Sequence, residues 1–357
     1  MTRNLLVTGG AGFIGSNFIH YLQTHTPEIE IYNLDLLTYA GRLENLDDLP
    51  VPGKHHFIRG SICDAERVES ILKDHQISTI VHFAAESHVD RSLKNPGAFI
   101  DTNVVGTHTL LEAACKVWED QPGKHRFHHI STDEVFGSLR SGEPAFTEKT
   151  PYAPNSPYAA SKAASDHLVR AYGKSFGLPY SISNTSNNYG PFQFPEKLIP
   201  LLISNALAGK PLPIYGDGKQ IRDWLYVEDH CTAIWTIIEK GQPGKSYNVG
   251  GNNQTPNIKI VELICSILDE KVPDSPFRPH QQLIQFVKDR PGHDRRYAID
   301  SHLIQEELGW EPQNDLRGGL EKTVDWYLAH TDWLKAIQQG TSYQDWIEKN
   351  YQERGRA

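Results

Sequence analysis

The sequence of 357 residues contains only four cysteines and one methionine, and it has no long apolar run. Cys63, Cys115, Cys231 and Cys265 are far apart and no two of them form a Cys-x-x-Cys pair, so no disulfide framework is indicated. No apolar segment approaches the roughly 20 residues that span a bilayer, and the first ten residues lack the features of a signal peptide. We therefore expect a cytoplasmic protein with reduced thiols and no membrane partner.

Positive charge is also in deficit, because 35 Lys and Arg residues stand against 44 Asp and Glu residues and the net charge is −9. A general nucleic-acid-binding protein normally has a basic face, so we expect no nucleic-acid partner. The 17 histidines are mostly single, and two sets, His55-His56 and His128-His129, are adjacent pairs. Neighbouring residues on a strand point to opposite faces, so neither pair forms a chelate and no metal site is predicted.

The first half of the sequence alternates between strand-like and helix-like segments. This βαβ repetition predicts an α/β fold with a Rossmann-type doubly wound parallel sheet. The predicted strands are residues 4–8, 30–35, 56–60, 79–84, 127–131 and 180–184, and the predicted helices are residues 12–23, 65–74, 102–119 and 158–176.

After residue 189 prolines and glycines divide the chain into shorter pieces, with helices predicted at 198–208, 229–240, 257–268 and 317–330. We predict a dinucleotide-binding Rossmann domain at residues 1–189, with a return of residues 229–250 to its sheet. Residues 190–357 are predicted to form a smaller mixed α/β substrate domain, which supplies the second wall of a cleft.

A glycine pattern, Gly9-x-x-Gly12-x-x-Gly15, lies between the first predicted strand and the first predicted helix. Glycine lets backbone N–H groups at a helix N-terminus approach a pyrophosphate closely. Asp35 follows 20 residues after Gly15, at the end of the second predicted strand. A carboxylate there accepts hydrogen bonds from an adenosine ribose and repels a 2′-phosphate, so the sequence predicts NAD rather than NADP.

Tyr158 and Lys162 are four residues apart and therefore share one face of a predicted helix. A phenol is a poor base at neutral pH, and we expect the Lys162 ammonium to lower the pKa of Tyr158. Thr132, at the end of a predicted strand, is followed by Asp133 and Glu134. Adjacent carboxyl groups in different environments can supply the acid and the base that an elimination needs.

These features together resemble the extended short-chain dehydrogenase/reductase family over nearly the whole chain. Within that family the sequence is similar to the dTDP-glucose 4,6-dehydratases. The segments that carry this similarity are DLLTYAG at 35–41, HFAAESHVD at 82–90, STDEVFG at 131–137, SNNYGP at 186–191, FPEKLIP at 194–200, RDW at 222–224 and RPGHD at 290–294.

The resemblance implies a homodimeric, NAD-dependent lyase that converts dTDP-glucose to dTDP-4-keto-6-deoxyglucose and water. In such an enzyme Tyr158 removes the proton of the 4-hydroxyl while NAD takes the hydride from C4, and Thr132 orients the substrate oxygen. Glu134 then removes the C5 proton and Asp133 protonates the departing C6 hydroxyl. The hydride finally returns to C6 and a proton is restored to C5.

The resemblance also implies binding residues. For the cofactor they are Gly9, Gly12, Phe13, Ile14, Gly15, Asp35, Thr38, Ser61, Ile62, Phe83, Ala84, Ala85, Thr102, Tyr158, Lys162 and Asn188. For the nucleotide sugar they are Ser87, Thr132, Asn187, Lys197, Leu198, Pro213, Tyr215, Arg222, Asn257, Arg290 and His293. The chain departs from the family pattern at Leu36 (usually Lys), Ser61 (usually Asp) and Asn184 (usually Arg).

Three alternatives stay open at this point. A UDP-sugar 4-epimerase needs Tyr158 and Lys162 but has no use for the Asp133-Glu134 pair. A UDP-sugar 4,6-dehydratase differs only in the nucleobase pocket, and a dinucleotide-sensing protein has no use for the tyrosine and lysine. The apolar positions Leu110, Leu111, Ala114 and Val117 fit either a helical dimer interface, formed by residues 102–119 and 158–176 of each copy, or packing against the protein's own sheet.

Overall fold

The computed structural model describes residues 3–119, 124–289 and 293–348. The strands in these residues are β1 (Asn4–Thr8), β2 (Glu30–Asp35), β3 (His55–Arg59), β4 (Thr79–His82), β5 (Arg126–Thr132), β6 (Tyr180–Thr185), β7 (Asn187–Tyr189), β8 (Leu212–Tyr215), β9 (Ile221–Tyr226), β10 (Lys245–Val249), β11 (Gln254–Pro256) and β12 (Ile284–Val287).

The α-helices in the same residues are α1 (Phe13–His25), α2 (Ala65–Asp74), α3 (Val89–Lys94), α4 (Pro96–Phe99), α5 (Thr107–Glu119), α6 (Pro157–Phe176), α7 (Leu198–Leu207), α8 (Val227–Lys240), α9 (Asn257–Lys271), α10 (His302–Leu308), α11 (Leu316–Ala329), α12 (Thr331–Gln338) and α13 (Thr341–Ile347). A π-helical segment, Ile100–Gly106, precedes α5. None of the described helices combines the length and the apolar character needed to cross a membrane.

Seven parallel strands form the main sheet in the order β10-β6-β5-β4-β1-β2-β3. The chain winds outwards from β1 in one direction and from β4 in the other, so the strand order reverses between these two neighbours. This confirms the predicted α/β fold with a doubly wound sheet. Ligands of such sheets bind outside the carboxyl ends of the strands at the point of reversal.

Successive side chains of the central strands point to opposite faces of the sheet, and helices pack against both faces. Leu6 on β1 joins a buried cluster with α2, α5 and α6, whereas Leu5 and Val7 join a cluster with α1 and α8 on the opposite face. The first cluster contains Leu110, Leu111, Ala114 and Val117, each at most 2% exposed. These four residues therefore pack against the protein's own sheet, and the alternative of a dimer interface built from them is wrong.

The long helix α6 places two predicted catalytic residues. It starts sharply, because Ser156 accepts a hydrogen bond from the backbone N–H of Ala159 (3.1 Å) and Pro157 is the first helical residue. It ends at Gly177, which adopts the left-handed conformation with φ = 71°. Tyr158 therefore lies in the first turn of α6, directly beside the carboxyl end of β5.

The later part of the chain builds two small sheets beside the main one. β9 lies between β7, to which it is parallel, and β11, to which it is antiparallel, while β8 pairs with β12. A separate buried cluster unites α7, α9 and α11 with these strands. This mixed α/β region confirms the predicted smaller C-terminal part of the fold. The edge strand β10 and the covering helix α8 are contributed to the main sheet from within the later sequence.

Some predicted boundaries were wrong. β4 ends at His82 rather than at residue 84, because the N–H of Ala84 donates to the Thr8 hydroxyl (3.3 Å) instead of to a strand carbonyl. The helix predicted at 102–119 is interrupted, since Ile100–Gly106 is π-helical and α5 starts at Thr107. The short strands β7, β8, β9, β11 and β12 were missed, since three to six residues carry little periodic signal.

Candidate active site

A cleft of about 340 Å³ opens at the carboxyl ends of β1, β4, β5 and β6, where the strand order reverses. Its wall contains all the residues predicted to bind the cofactor, from Gly9 in the first loop to Asn188 on β7. Of the predicted catalytic and substrate residues, the wall contains Ser87, Thr132, Asp133, Glu134, Tyr158, Lys162, Asn187 and Lys197. The main sheet and the later part of the chain therefore share this cleft.

The glycine loop is shaped so that only glycine fits at two positions. Gly9 has φ = 73°, and a Cβ atom there would lie 2.7 Å from the backbone of Ala84. A Cβ atom on Gly15 would lie 2.3 Å from the carbonyl oxygen of Gly9. The N-cap of α1 is Gly12, which has no side chain to bond the first-turn N–H groups. These donors and the positive end of the helix dipole fit a pyrophosphate in the cradle.

Asp35 at the end of β2 is fixed beside this loop. Its Oδ2 accepts a hydrogen bond from the N–H of Ala11 (3.0 Å) and its Oδ1 accepts one from the N–H of Leu37 (2.8 Å). Burial raises the pKa of Asp35, and the two backbone hydrogen bonds act in the opposite direction. Each carboxylate oxygen has a second lone pair, so Asp35 retains acceptors for the hydroxyls of a ribose.

Asp133 and Glu134 begin the short 3₁₀-helix Asp133–Phe136 directly after β5. The N–H of Glu134 donates to the Thr132 hydroxyl (3.2 Å), which is itself 3.4 Å from Oδ1 of Asp133. Asp133 is 2% exposed, and burial, Glu134 and Asp223 raise its pKa well above the usual range. Burial therefore favours the protonated form of Asp133, while its neighbour Glu134 is only half-buried.

Tyr158 and Lys162 both lie in the wall of the cleft, one turn of α6 apart. Burial and the Glu134 carboxylate raise the pKa of Tyr158, whereas a hydrogen bond with Thr132 lowers it. The net lowering expected from Lys162 was therefore wrong for the protein alone. The Lys162 ammonium instead donates to the carbonyl oxygen of Ile130 (2.8 Å) and lies 3.3 Å from Nε2 of His129.

Several residues predicted to bind substrate lie elsewhere in the described structure than on the wall of the cleft. Tyr215 and His293 are in edge-to-face contact at 6.1 Å, and Asn257 begins α9 next to Gln220. Arg222 donates to the carbonyl oxygen of Asp294 (2.9 Å). The other members of this group are Leu198 at the start of α7 and Pro213 on β8, and Arg290 lies outside the described residues.

Among the predicted substrate residues outside the wall of the cleft, Arg222 interacts with Asp133 of the Asp133-Glu134 pair. Its guanidinium lies 4.2 Å from the centre of the Tyr297 ring, and its charge acts on the pKa of Asp133 in the lowering direction. Arg222 therefore lies near the acid pair, although it does not form the wall of the cleft. Tyr297 itself was not predicted from the sequence.

Sequence reasoning also missed Tyr39 and Glu196, which line the cleft. Glu196 is 3% exposed and accepts a hydrogen bond from the guanidinium of Arg91 (2.9 Å). The same guanidinium stacks on the ring of Tyr39 at 3.7 Å and on the ring of Trp346 at 4.2 Å. Residues 39 and 196 both stand inside segments that resemble the family. That was the available signal, but no charge or spacing pattern connected them with distant Arg91 and Trp346.

Among the described residues, no three His, Cys, Asp or Glu side chains are arranged to hold a metal ion. The groups in the cleft that can act chemically include its carboxyl groups, its phenol and its backbone donors. The combination of a pyrophosphate cradle, a tyrosine-lysine pair and a buried acid next to a half-buried carboxylate fits redox and elimination at one carbon skeleton.

Comparisons with known proteins agree with this geometry. The family profile described as GDP-mannose 4,6 dehydratase matches residues 6–323. A dTDP-glucose 4,6-dehydratase of Shigella flexneri is 53% identical over 98% of this chain and 99% of its own length. Another from Xanthomonas campestris pv. campestris is 55% identical over 94% of this chain and 96% of its own length.

Solved structures are similar over almost the whole chain. A dTDP-glucose 4,6-dehydratase of Bacillus anthracis in complex with NAD has a TM-score of 0.84 and 44% identity, covering 94% of this chain and 100% of that one. A UDP-glucose 4-epimerase of Thermotoga maritima has a TM-score of 0.82 but only 29% identity, covering 92% of this chain and 100% of that one. The chain therefore belongs to the GDP-mannose 4,6 dehydratase family, and it is related over its full length to the dTDP-glucose 4,6-dehydratases.

Proposed function

We propose that this chain is a dTDP-glucose 4,6-dehydratase, an NAD-dependent hydro-lyase that converts dTDP-glucose to dTDP-4-keto-6-deoxyglucose and water. The observation that carries this proposal is the buried Asp133, whose pKa is raised, beside the half-buried Glu134 in the wall of the cleft that also contains Tyr158. The full-length relatives at 53% and 55% identity support the same substrate and reaction.

The first-turn donors of α1 would hold the pyrophosphate of NAD, Asp35 its adenosine ribose, and Lys162 its nicotinamide ribose. When bound, NAD accepts a hydride from the sugar and later returns it, so the overall reaction needs no external oxidant. Burial and neighbouring carboxylates make the Tyr158 phenol hard to ionise in the protein alone. A positive charge at the nicotinamide end of the cleft favours the phenolate and prepares Tyr158 to take the proton of the 4-hydroxyl.

Asp133 and Glu134 divide the elimination between them. A ketone at C4 makes the C5 proton acidic, and the half-buried Glu134 removes it. Asp133 donates its proton to the C6 hydroxyl, which then leaves as water. General acid–base groups of this kind each contribute about 10²–10⁴-fold to the rate.

The cleft also supports a division of the chain between the two ligands. We assign NAD to residues 1–189 together with the returning segment 229–250, and the nucleotide sugar to residues 190–357. Lys197 and Asn187 line the cleft, and the Lys197 ammonium donates to the carbonyl oxygen of Ser87 (3.3 Å). The diphosphate is assigned to Arg222 and to Arg290, and the remaining nucleotide contacts to Leu198, Pro213, Tyr215, Asn257 and His293.

The direct test is incubation of purified protein with NAD and dTDP-glucose, followed by detection of the 4-keto-6-deoxy product by its alkaline absorbance. A parallel reaction with UDP-glucose measures the preference for the base. Formation of a 4-epimerised sugar without the keto product would establish the epimerase alternative instead. Faster dehydration of UDP-glucose than of dTDP-glucose would move the enzyme to the UDP-sugar dehydratases.

A homodimer is part of the proposal. Leu93 on α3 is 45% exposed, Ile100 and Val105 in the π-helical segment before α5 are 49% and 46% exposed, and Phe176 at the end of α6 is 66% exposed. Exposed apolar side chains next to the two proposed interface helices fit a second copy of the chain. Val105→Glu should give a monomer in sedimentation velocity, whereas Phe286→Glu, on the distant β12, should leave the dimer intact. A dimer of unchanged affinity in Val105→Glu would exclude this interface.

The proposed location is the cytoplasm. All four cysteines are free thiols, as expected for a protein of a reducing compartment.

A further inference from the structure

Lys162 has an unusual environment for a cation. Its side chain is 4% exposed, and the contacts of its ammonium are a backbone carbonyl, Ile130 O, and a ring nitrogen, His129 Nε2. Burial lowers the pKa of Lys162 to about 8, so the ammonium is close to losing its proton. A buried charge is costly unless an opposite charge or strong hydrogen bonds compensate it. One buried carboxylate, that of Asp166, acts against this lowering.

Asp166 is fully buried and held by several donors. Its Oδ2 accepts hydrogen bonds from the hydroxyls of Ser131 (2.8 Å) and Tyr152 (2.7 Å) and from Nδ2 of Asn184 (3.3 Å). Although burial acts to raise the pKa of Asp166, its contacts with His129, Lys162 and Tyr152 outweigh this and lower it. Asp166 is therefore a carboxylate at neutral pH, and it does not belong to the wall of the cleft.

His129 connects the two charges. Its Nε2 lies 3.2 Å from Oδ1 of Asp166 and 3.3 Å from Nζ of Lys162. Because all three donors bond Oδ2, the other oxygen is left to face the imidazole. The sequence places Tyr158, Lys162 and Asp166 at successive four-residue steps, so one face of α6 carries the phenol, the ammonium and the carboxylate.

We propose that Asp166 is a positioning residue whose charge, acting across His129, keeps Lys162 protonated and fixed beside Tyr158 and the cofactor. This inference rests on the proposed dehydratase function, in which Lys162 must stay an ammonium. Asp166 does not belong to the wall of the cleft, so it is not placed to touch the substrate or the cofactor. The Asp166 charge acts electrostatically on Lys162, and Lys162 itself lines the cleft.

Other ionisable groups around Lys162 set the background. Those that face it or its partners are His82 from β4, Asp133 and Glu134 from the turn after β5, Tyr152 from the loop before α6, and Tyr158 and Arg170 from α6. The positive charge of Arg170 and the side chains of Asp133 and Glu134 are unchanged in an Asp166 variant. A change in the ionisation of Lys162 on removing the Asp166 charge is thus attributable to that charge.

The test compares the pH profiles of kcat for the wild type and Asp166→Asn. Loss of the carboxylate should move the alkaline limb to lower pH by about one unit, as expected for removal of a nearby opposite charge. The matched control is Asp229→Asn. Asp229 is 2% exposed and accepts hydrogen bonds from Gln313 and Asn314 on the other face of the main sheet. The Asp229→Asn variant should be less stable, but the alkaline limb of its kcat profile should stay at the wild-type pH.

A second readout needs no turnover. NAD affinity is measured by fluorescence titration over a range of pH. As the pH rises, the affinity should begin to weaken at a lower pH in Asp166→Asn than in the wild type. This measurement reports on Lys162 even if dTDP-glucose is not the substrate. His129→Gln should shift both profiles in the same direction, and it decides the matter if Asp166→Asn does not fold. The proposal would be overturned if the alkaline limbs of folded Asp166→Asn and His129→Gln stay at the wild-type pH. It would also be overturned if the limb of Asp229→Asn moves by the same amount as theirs.

Discussion

Asp133 and Glu134 are adjacent in the chain, yet the Thr132 hydroxyl interacts with both of them differently. It lies 3.4 Å from the Asp133 carboxyl, and it accepts the backbone N–H of Glu134 at 3.2 Å. The 3₁₀ turn that follows directs the first side chain into the protein and leaves the second half-buried. Burial, not the sequence position of either acid, favours the protonated form of Asp133, which supports the proposed roles of Asp133 as proton donor and Glu134 as base.

The first prediction concerns the acid. Asp133→Asn removes the transferable proton but retains the shape and neutrality of the side chain. We expect the dehydration rate to fall by about 10²–10⁴-fold. Oxidation at C4 should continue, so reduced nicotinamide should build up in a single-turnover absorbance experiment. Dehydration by this variant at the wild-type rate would show that another group protonates the leaving hydroxyl.

The second prediction concerns the phenol. Tyr158→Phe should lower the rate of C4 oxidation by about 10²–10⁴-fold, because phenylalanine cannot take the 4-hydroxyl proton. In contrast to Asp133→Asn, no reduced nicotinamide should accumulate. Equal accumulation of reduced nicotinamide in the two variants would contradict the assigned roles.

The third prediction concerns the glycine loop. The Cβ atom of Gly15→Ala would lie 2.3 Å from the Gly9 carbonyl oxygen, which is backbone and cannot rotate away. We expect weaker NAD binding by calorimetry and a lower melting temperature. Gly53→Ala is the matched control, because a Cβ atom there meets no atom within 4 Å and its φ is not positive. Wild-type NAD affinity in Gly15→Ala would mean that the loop rearranges without cost.

The fourth prediction concerns acid stability. His230 is fully buried, and burial lowers its pKa to about 3, against about 6.5 in an unfolded chain. Its Nδ1 donates to Oδ1 of Asn188 (2.9 Å), and among the described residues its Nε2 has no hydrogen-bond partner. The folded state thus binds fewer protons than the unfolded state below about pH 6.5. The stability from neutral His230 is present above that pH and is lost as the pH falls towards 3.

Urea unfolding at several values between about pH 7 and about pH 4 measures this contribution. His230→Gln cannot gain a proton, so its free energy of unfolding should fall less steeply with acidification than that of the wild type. His302 is exposed on α10, and His302→Gln should keep the wild-type slope. Identical slopes in all three proteins would show that His230 is not protonated during unfolding.

Much of the site was predictable because it depends on local spacing. The Gly9-Gly12-Gly15 pattern, Asp35, and the Tyr158-Lys162 pair each follow from the geometry of one turn or one helix face, and all of them line the cleft. Asp166 was not singled out, although it extends the same face of α6. Its importance depends on contacts with Ser131, Tyr152 and His129, which are distant in the chain, and a spacing pattern does not reveal them.

The alternation of strands and helices, the pyrophosphate cradle and the identity of the chemical groups follow from the sequence alone. Its local periodicities specify these features, because each depends on residues within one or two turns. The fold had to show which of the two adjacent acids is fully buried, that the Lys162 ammonium donates to a backbone carbonyl, and that Leu110 and Val117 pack inward. These properties depend on burial and on the charges of distant residues, and the packing of the whole chain sets both.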